Sequence, residues 1–200
     1  NDKSNKAQKI YHLKHPLILY CGYKNYQKGA ITLLKAIPLI HAKYRSAEFM
    51  FIGPPTAAFN YNLKSVRQKL PYVKILNVSP DNLTGVFDPK KIGAFQFADV
   101  FCMPSRSDAY GIVYLEAWAS KTPVIGANVP QMRDVIHFQN DEKQDGILVE
   151  FNNKEELSQT ILKLLFDKNL RDKLGKNGFS KIYPQQTWKN LAKKTIDYYY

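Results

Sequence analysis

Two carboxylates are separated by seven residues in the stretch SRSDAYGIVYLE: Asp108 and Glu116, with Gly111 between them. Glu116 would lie in the second turn of the helix that begins at Gly111 and Asp108 in the loop before it, so both can face a ligand held at the helix N-terminus. A third charged residue, Lys28, stands beside Gly29 in CGYKNYQKGA, at the expected start of a helix. Unpaired N–H groups and the helix dipole favour an anion at that place. Gly22 ends the strand before it. This is no Walker A loop, because the glycine–lysine order is reversed and no Ser or Thr follows to hold magnesium. Each feature also has a plain structural explanation: an acid ahead of a helix complements its dipole, and a lysine at a helix start is common on solvated surfaces.

These residues need a scaffold, and the chain supplies one. Short apolar runs alternate with amphipathic stretches, the mark of a parallel sheet with crossover helices. Strands are expected at 17–21, 48–52, 73–76, 100–103, 123–125 and 147–149, continuously apolar as when both faces are covered. Helices are expected at 31–44 (kinked at Pro38), 61–70, 90–98, 111–120 and 131–138. After the last strand come helices alone, at 154–167, 170–179 and 188–200. NDEKQD, at 140–145, reads as a surface loop. In a doubly wound sheet the ligand lies at the carboxyl ends of the strands. The junctions to inspect therefore follow Cys21, Ile52, Met103 and Ile125.

At 200 residues and 44% hydrophobic, the chain can bury one full core. No run approaches the roughly 18 apolar residues of a membrane span, and the first fifteen residues are polar and Lys-rich, so the reading is an intracellular soluble piece. Its abrupt start is that of a domain cut from a longer chain. Cys21 and Cys102 lack metal-ligand spacing and read as reduced core thiols, with a bridge within reach only if their strands are neighbours. The net charge of +12 is either a solvated basic surface or the mark of an anionic partner, whether a nucleic acid, a membrane face or a phosphate-bearing ligand, and charge alone does not choose. The lysines are scattered and carry no nucleic-acid signature.

The segments CGYKNYQKGAITLLKA, FIG, FADVFCMPSRSDAYGIVYLEAWASKTPVIGANVPQMRDV and DGILV resemble the C-terminal donor-binding domain of family 4 (group 1) glycosyltransferases, retaining nucleotide-sugar enzymes of GT-B architecture. The resemblance runs from about Leu17 to Val149. It implies an α/β fold, a doubly wound Rossmann-like parallel six-stranded sheet flanked by helices with a C-terminal helical tail, which is one half of a GT-B fold. The divisions are a lead-in at 1–16, a nucleotide-sugar-binding domain at 17–185, and a helix at 186–200 crossing toward an N-terminal acceptor domain. By the same resemblance Asp108 is catalytic and contacts the transferred sugar, and Glu116 holds the ribose. Lys28 and Gly29 bind the diphosphate, with Gly22, Tyr110, Gly111, Ile112 and Val113 lining the donor site and the base lying against 77–82.

No metal or cofactor is implied beyond the donor, a UDP, GDP or ADP sugar. The acceptor would be a glycan, a lipid-linked molecule or a small molecule. Nucleic acid is not an expected partner, and the location would be cytoplasmic, with the basic surface near the inner face of the membrane. Three positions depart from the family pattern: Asp108 stands where Glu is usual, Tyr23 where an arginine is usual, and VPQMRD replaces paired glycines and a glutamate, with Asp134 as the acid. Arg106 or Lys24 could supply the missing charge. The rival readings are a catalytically degenerate nucleotide-sugar-binding module on the same fold and another GT-B chemistry such as epimerisation.

Overall fold

The runs LILYC and EFMFI contain no exposed residue, and each forms a strand along its full length, β1 (Leu17–Cys21) and β2 (Glu48–Ile52). With β3 (Ile75–Val78), β4 (Val100–Cys102), β5 (Val124–Ala127) and β6 (Gly146–Val149) they make one sheet in the computed structural model, which describes residues 4–85, 88–108, 111–184 and 187–199. The strand order is β3-β2-β1-β4-β5-β6, and all five pairings are parallel. The direction of winding reverses between β1 and β4, where two consecutive crossovers leave on opposite sides and open a crevice.

The crossovers are α2 (Ala30–Lys43), α3 (Ala57–Lys69), α4 (Pro89–Phe97), α5 (Ile112–Ala119) and α6 (Pro130–Val135). α7 (Lys154–Phe166), α8 (Lys168–Ile182) and α9 (Trp188–Tyr199) close the chain. α2 runs unbroken through Pro38, held by Leu33, Leu34, Ile37 and Ile40 buried on the sheet. The third strand lies two residues later than its apolar run predicts, because Val73 turns back to donate its N–H to the Leu70 carbonyl before pairing begins. The lead-in contains an element that the sequence reading does not assign: α1 (Ser4–Tyr11) packs along α4.

β1 and β4 are indeed neighbours, yet Cys21 and Cys102 are free and buried. Leu19 pairs with Phe101, so Cys102 lies level with Tyr20, while Cys21 is one residue further along and points to the other face. Burial pushes the Cys21 thiol up to about 12.

Part of the expected surface loop at 140–145 is core. Asp145 is 1% exposed; its carboxylate accepts from the His137 N–H (2.9 Å) and from Lys181 (2.7 Å), and its carbonyl accepts from the Trp118 indole (3.0 Å).

Candidate functional site

The β1–α2 and β4–α5 loops, which flank the switch in winding, are joined to each other. Arg106 N–H donates to the Gln27 carbonyl (2.8 Å), and Lys28 Nζ donates to the Ser107 carbonyl (2.7 Å). Gly29 caps α2 with φ 77°, and a Cβ there would stand 2.5 Å from the Pro104 carbonyl oxygen. Any side chain would force the loops apart, and the backbone conformation itself favours glycine.

Lys28 and Asp108 meet across this seam at 3.0 Å. The other Asp108 oxygen accepts the Gly111 N–H at 3.0 Å, so the residue both caps the turn into α5 and presents its carboxylate to Lys28. Gly111 is left-handed, φ 67°, and a Cβ there would lie 2.6 Å from the Tyr114 ring. That ring is fixed beneath the turn by a hydroxyl hydrogen bond to the Met103 carbonyl. Ile112 and Val113 follow as the first residues of α5, with N–H groups that have no intrahelical acceptor. Around this centre is a cleft of about 250 Å³ lined by Cys21, Gly22, Lys28, Met103, Asp108, Gly111, Ile112 and Val113.

Of the residues expected at the site, the cleft gathers Lys28, Gly22, Asp108, Gly111, Ile112 and Val113, with Gly29 directly behind Lys28 as the cap of α2. Tyr110 lies outside the described residues. Glu116 is placed differently. One turn further along α5, it faces α4 and pairs with Lys91 at 2.7 Å, in a separate recess of about 260 Å³ that also includes Ile92, Phe95 and Gln96. Its second oxygen, Oε2, is buried and has no hydrogen-bond partner among the described residues. Lys91 gave no signal in the sequence, where a lysine in the first turn of an amphipathic helix reads as solvated.

Neither candidate for the missing positive charge turns into the cleft. Arg106 lies over the Phe151 ring, 5.9 Å from its centroid. Lys24 is fully buried and runs the other way, donating to Asn77 Oδ1 (2.5 Å) and the Val78 carbonyl (3.0 Å) beside the Phe59 ring. Desolvation lowers its pKa from 10.5 to about 8. Tyr23, in the arginine position, is half exposed. The PVIGANVPQMRDV junction is tied instead to the end of β6, through Asn128 N–H to the Val149 carbonyl (2.7 Å) and Asn128 Nδ2 to Glu150 (3.0 Å).

A hollow of about 520 Å³ between α6, the 137–145 loop and α8 is larger, but it opens toward the start of β6, away from the carboxyl rim. Within it Lys181 is paired with Asp145 at 2.7 Å, and His137 faces Asp141 at 2.9 Å.

A lysine stands beside one glycine-capped helix and an acid is held to a second, both at the switch point of the strand order, an arrangement chemically able to receive an anion at the helix starts and hydroxyls at the carboxylate. The protein-family model for glycosyl transferases group 1 matches residues 2–181. The chain belongs to this family. An uncharacterized glycosyltransferase of Methanocaldococcus jannaschii is 29% identical over 92% of the chain, and the phosphatidyl-myo-inositol mannosyltransferase of Propionibacterium freudenreichii is 30% identical over 76%. The chain spans 44% and 35% of those two relatives' own lengths. Its fold matches the crystal structure of the C-terminal domain of a group 1 glycosyl transferase from Francisella tularensis with a TM-score of 0.74, at 21% identity and covering 93% of both chains. The six-stranded Rossmann-like sheet of this group 1 glycosyl transferase chain is therefore the architecture of the C-terminal domain of GT-B enzymes.

Proposed function

We propose that this chain is the donor-binding half of a retaining glycosyltransferase, which moves a sugar from a nucleoside diphosphate to an acceptor hydroxyl. The observation that carries the reading is the Lys28–Asp108 contact of 3.0 Å across the seam between two glycine-capped helices. Lys28 would meet the diphosphate, with the Ile112 and Val113 N–H groups completing its cradle. Asp108 would then be released to orient the sugar hydroxyls, and Glu116 would hold the ribose. As the glycosidic bond to the diphosphate breaks, charge develops on the leaving phosphate while the sugar takes on oxocarbenium character. Fixed ammonium and amide donors aimed at that phosphate stabilise the transition state without reorganising.

A second, N-terminal domain would bring the acceptor, with α9 crossing toward it, and the chain divides as 1–16, 17–185 and 186–200. The mannosyltransferase relative is named for a phosphatidyl-myo-inositol acceptor, and a net charge of +12 suits work beside an anionic leaflet; both support a reading in which the acceptor would lie at a lipid surface on the cytoplasmic side. Among the described residues no helix is long and apolar enough to cross a membrane.

The test follows release of free nucleoside diphosphate by the intact protein from UDP-, GDP- and ADP-sugars. Asp108→Asn keeps an acceptor for the Gly111 N–H and should leave the fold intact while release falls at least about tenfold, the scale of a lost positioning contact. Lys28→Ala should behave alike. Release by the wild type no greater than by Asp108→Asn would refute the enzyme and leave a binding module.

A further inference from the structure

The Lys91–Glu116 pair is costly for a purely structural strut. Both groups are largely removed from water, with side chains 12% and 28% exposed, and an apolar pair of similar size commonly serves stability as well. The buried Glu116 Oε2 without a donor adds to that cost, because native proteins carry few such orphans and each is paid for in desolvation. Lys91 is also firmly placed. It is in the first turn of α4, whose cap Asp88 binds Thr84 N–H (2.7 Å), Thr84 Oγ1 (2.8 Å) and Lys90 N–H (2.6 Å), and its ammonium stands 5.7 Å from the Phe95 ring centroid. Both helices descend from the rim that carries the cleft.

We propose that Lys91 is a donor-contacting residue and that Lys91 and Glu116 read a vicinal diol as a mixed pair, the ammonium donating to one hydroxyl oxygen and the carboxylate accepting from the other hydroxyl. This rests on the donor-site reading above and adds to it a specificity residue outside the two-carboxylate pattern. The terminal torsion of a glutamate is soft, so a small turn of the Glu116 carboxylate brings the unpartnered oxygen into the recess while Lys91 keeps its hold on the other. A carboxylate alone would only accept from both hydroxyls; the pair imposes a direction on the diol, one hydroxyl as donor and its neighbour as acceptor. The ligand chemistry is the 2′,3′-diol of a ribonucleoside diphosphate.

The experiment is calorimetry on the intact protein with the nucleoside diphosphate it binds among UDP, GDP and ADP, and with the 2′-deoxy and 3′-deoxy forms of that ligand. Lys91→Met should weaken the ribose form roughly ten- to a hundredfold, the range of one charge-assisted hydrogen bond, while Lys91→Arg stays much closer to wild type. Against one of the two deoxy ligands the Lys91→Met penalty should vanish, a readout that a structural role would not move. Glu116→Gln and the double variant should show non-additive losses. If Lys91→Met fails to fold by circular dichroism, Lys91→Gln makes the same comparison. Equal binding of all three ligands by wild type and Lys91→Met, with Lys28→Ala still weakening all of them, overturns the proposal and leaves the donor site standing. Failure to bind any of the diphosphates, or Lys28→Ala binding as wild type, overturns the donor site and this proposal together.

Discussion

Replacing Lys24 by Met should change the pH dependence of stability more than stability itself. In the folded protein the Lys24 ammonium is sealed from water and hydrogen-bonded to Asn77 and the Val78 carbonyl, and the Cys21 thiol acts on it against the dominant desolvation. Its pKa falls from 10.5 to about 8. Between those values the unfolded chain binds a proton that the folded chain has given up, so stability rises with pH across this window. At about 1.36 kcal/mol per pKa unit, the rise approaches about 3 kcal/mol by pH 10.5, and below pH 8 the same quantity is a penalty borne by the folded state. Met fills the channel without a charge and abolishes the pH-dependent part, while two acceptors lose their donor at a pH-independent cost of roughly 1–3 kcal/mol each. Urea unfolding of both proteins at steps from pH 7 to pH 10, followed by circular dichroism, isolates the contribution because every other titrating group is common to the two. Wild type should gain on Lys24→Met as pH rises. Curves that stay parallel over the whole range would refute a buried, weakened ammonium.

Asp88→Ala should cost about 1 kcal/mol at neutral pH, the scale of a lost helix cap. Because Thr84 N–H foremost holds the Asp88 carboxyl down at about 2, wild type should lose that advantage as pH falls from about 4 toward 2, and thermal melts of the pair should converge there. Gly29→Ala should destabilise by roughly 2 kcal/mol, since it meets both a left-handed backbone and the Pro104 carbonyl; a melting temperature unchanged from wild type would contradict the seam between the two loops. Gly178→Ala should also lower the melting temperature, because its Cβ would fall 1.8 Å from the Trp118 ring, and tryptophan fluorescence should shift as the ring yields.

The sheet was legible where local patterning and burial agree: β1 and β2 begin and end at the residues their apolar runs predict, both faces being covered. The cleft was legible because glycines at strand-to-helix turns and a lysine beside one of them are local signals. What stayed hidden depends on partners distant in the chain. α1 is a polar segment ordered by packing on α4, and Asp145 is drawn from a charged run into the core by Lys181, 36 residues later. The direction of Lys24 could not be read either, since an alternating segment leaving a strand does not reveal that its ammonium ends at β3. Glu116 was found by spacing, but its pairing with Lys91 requires two helices to be side by side.

The contact between Lys28 and Asp108 gives the cleft an internal counter-ion, and this bears on what the proposed donor site would admit. On that proposal an inorganic phosphate would replace Asp108 as the partner of Lys28 but leave the displaced carboxylate facing the cleft with the Gly111 N–H as its one donor among the described residues. A ligand that brings phosphate and hydroxyls joined at a fixed distance re-pairs both residues in one step. On the donor-site proposal the ion pair would act as a coincidence filter, favouring molecules that present the two chemistries together over the abundant anions that present only one.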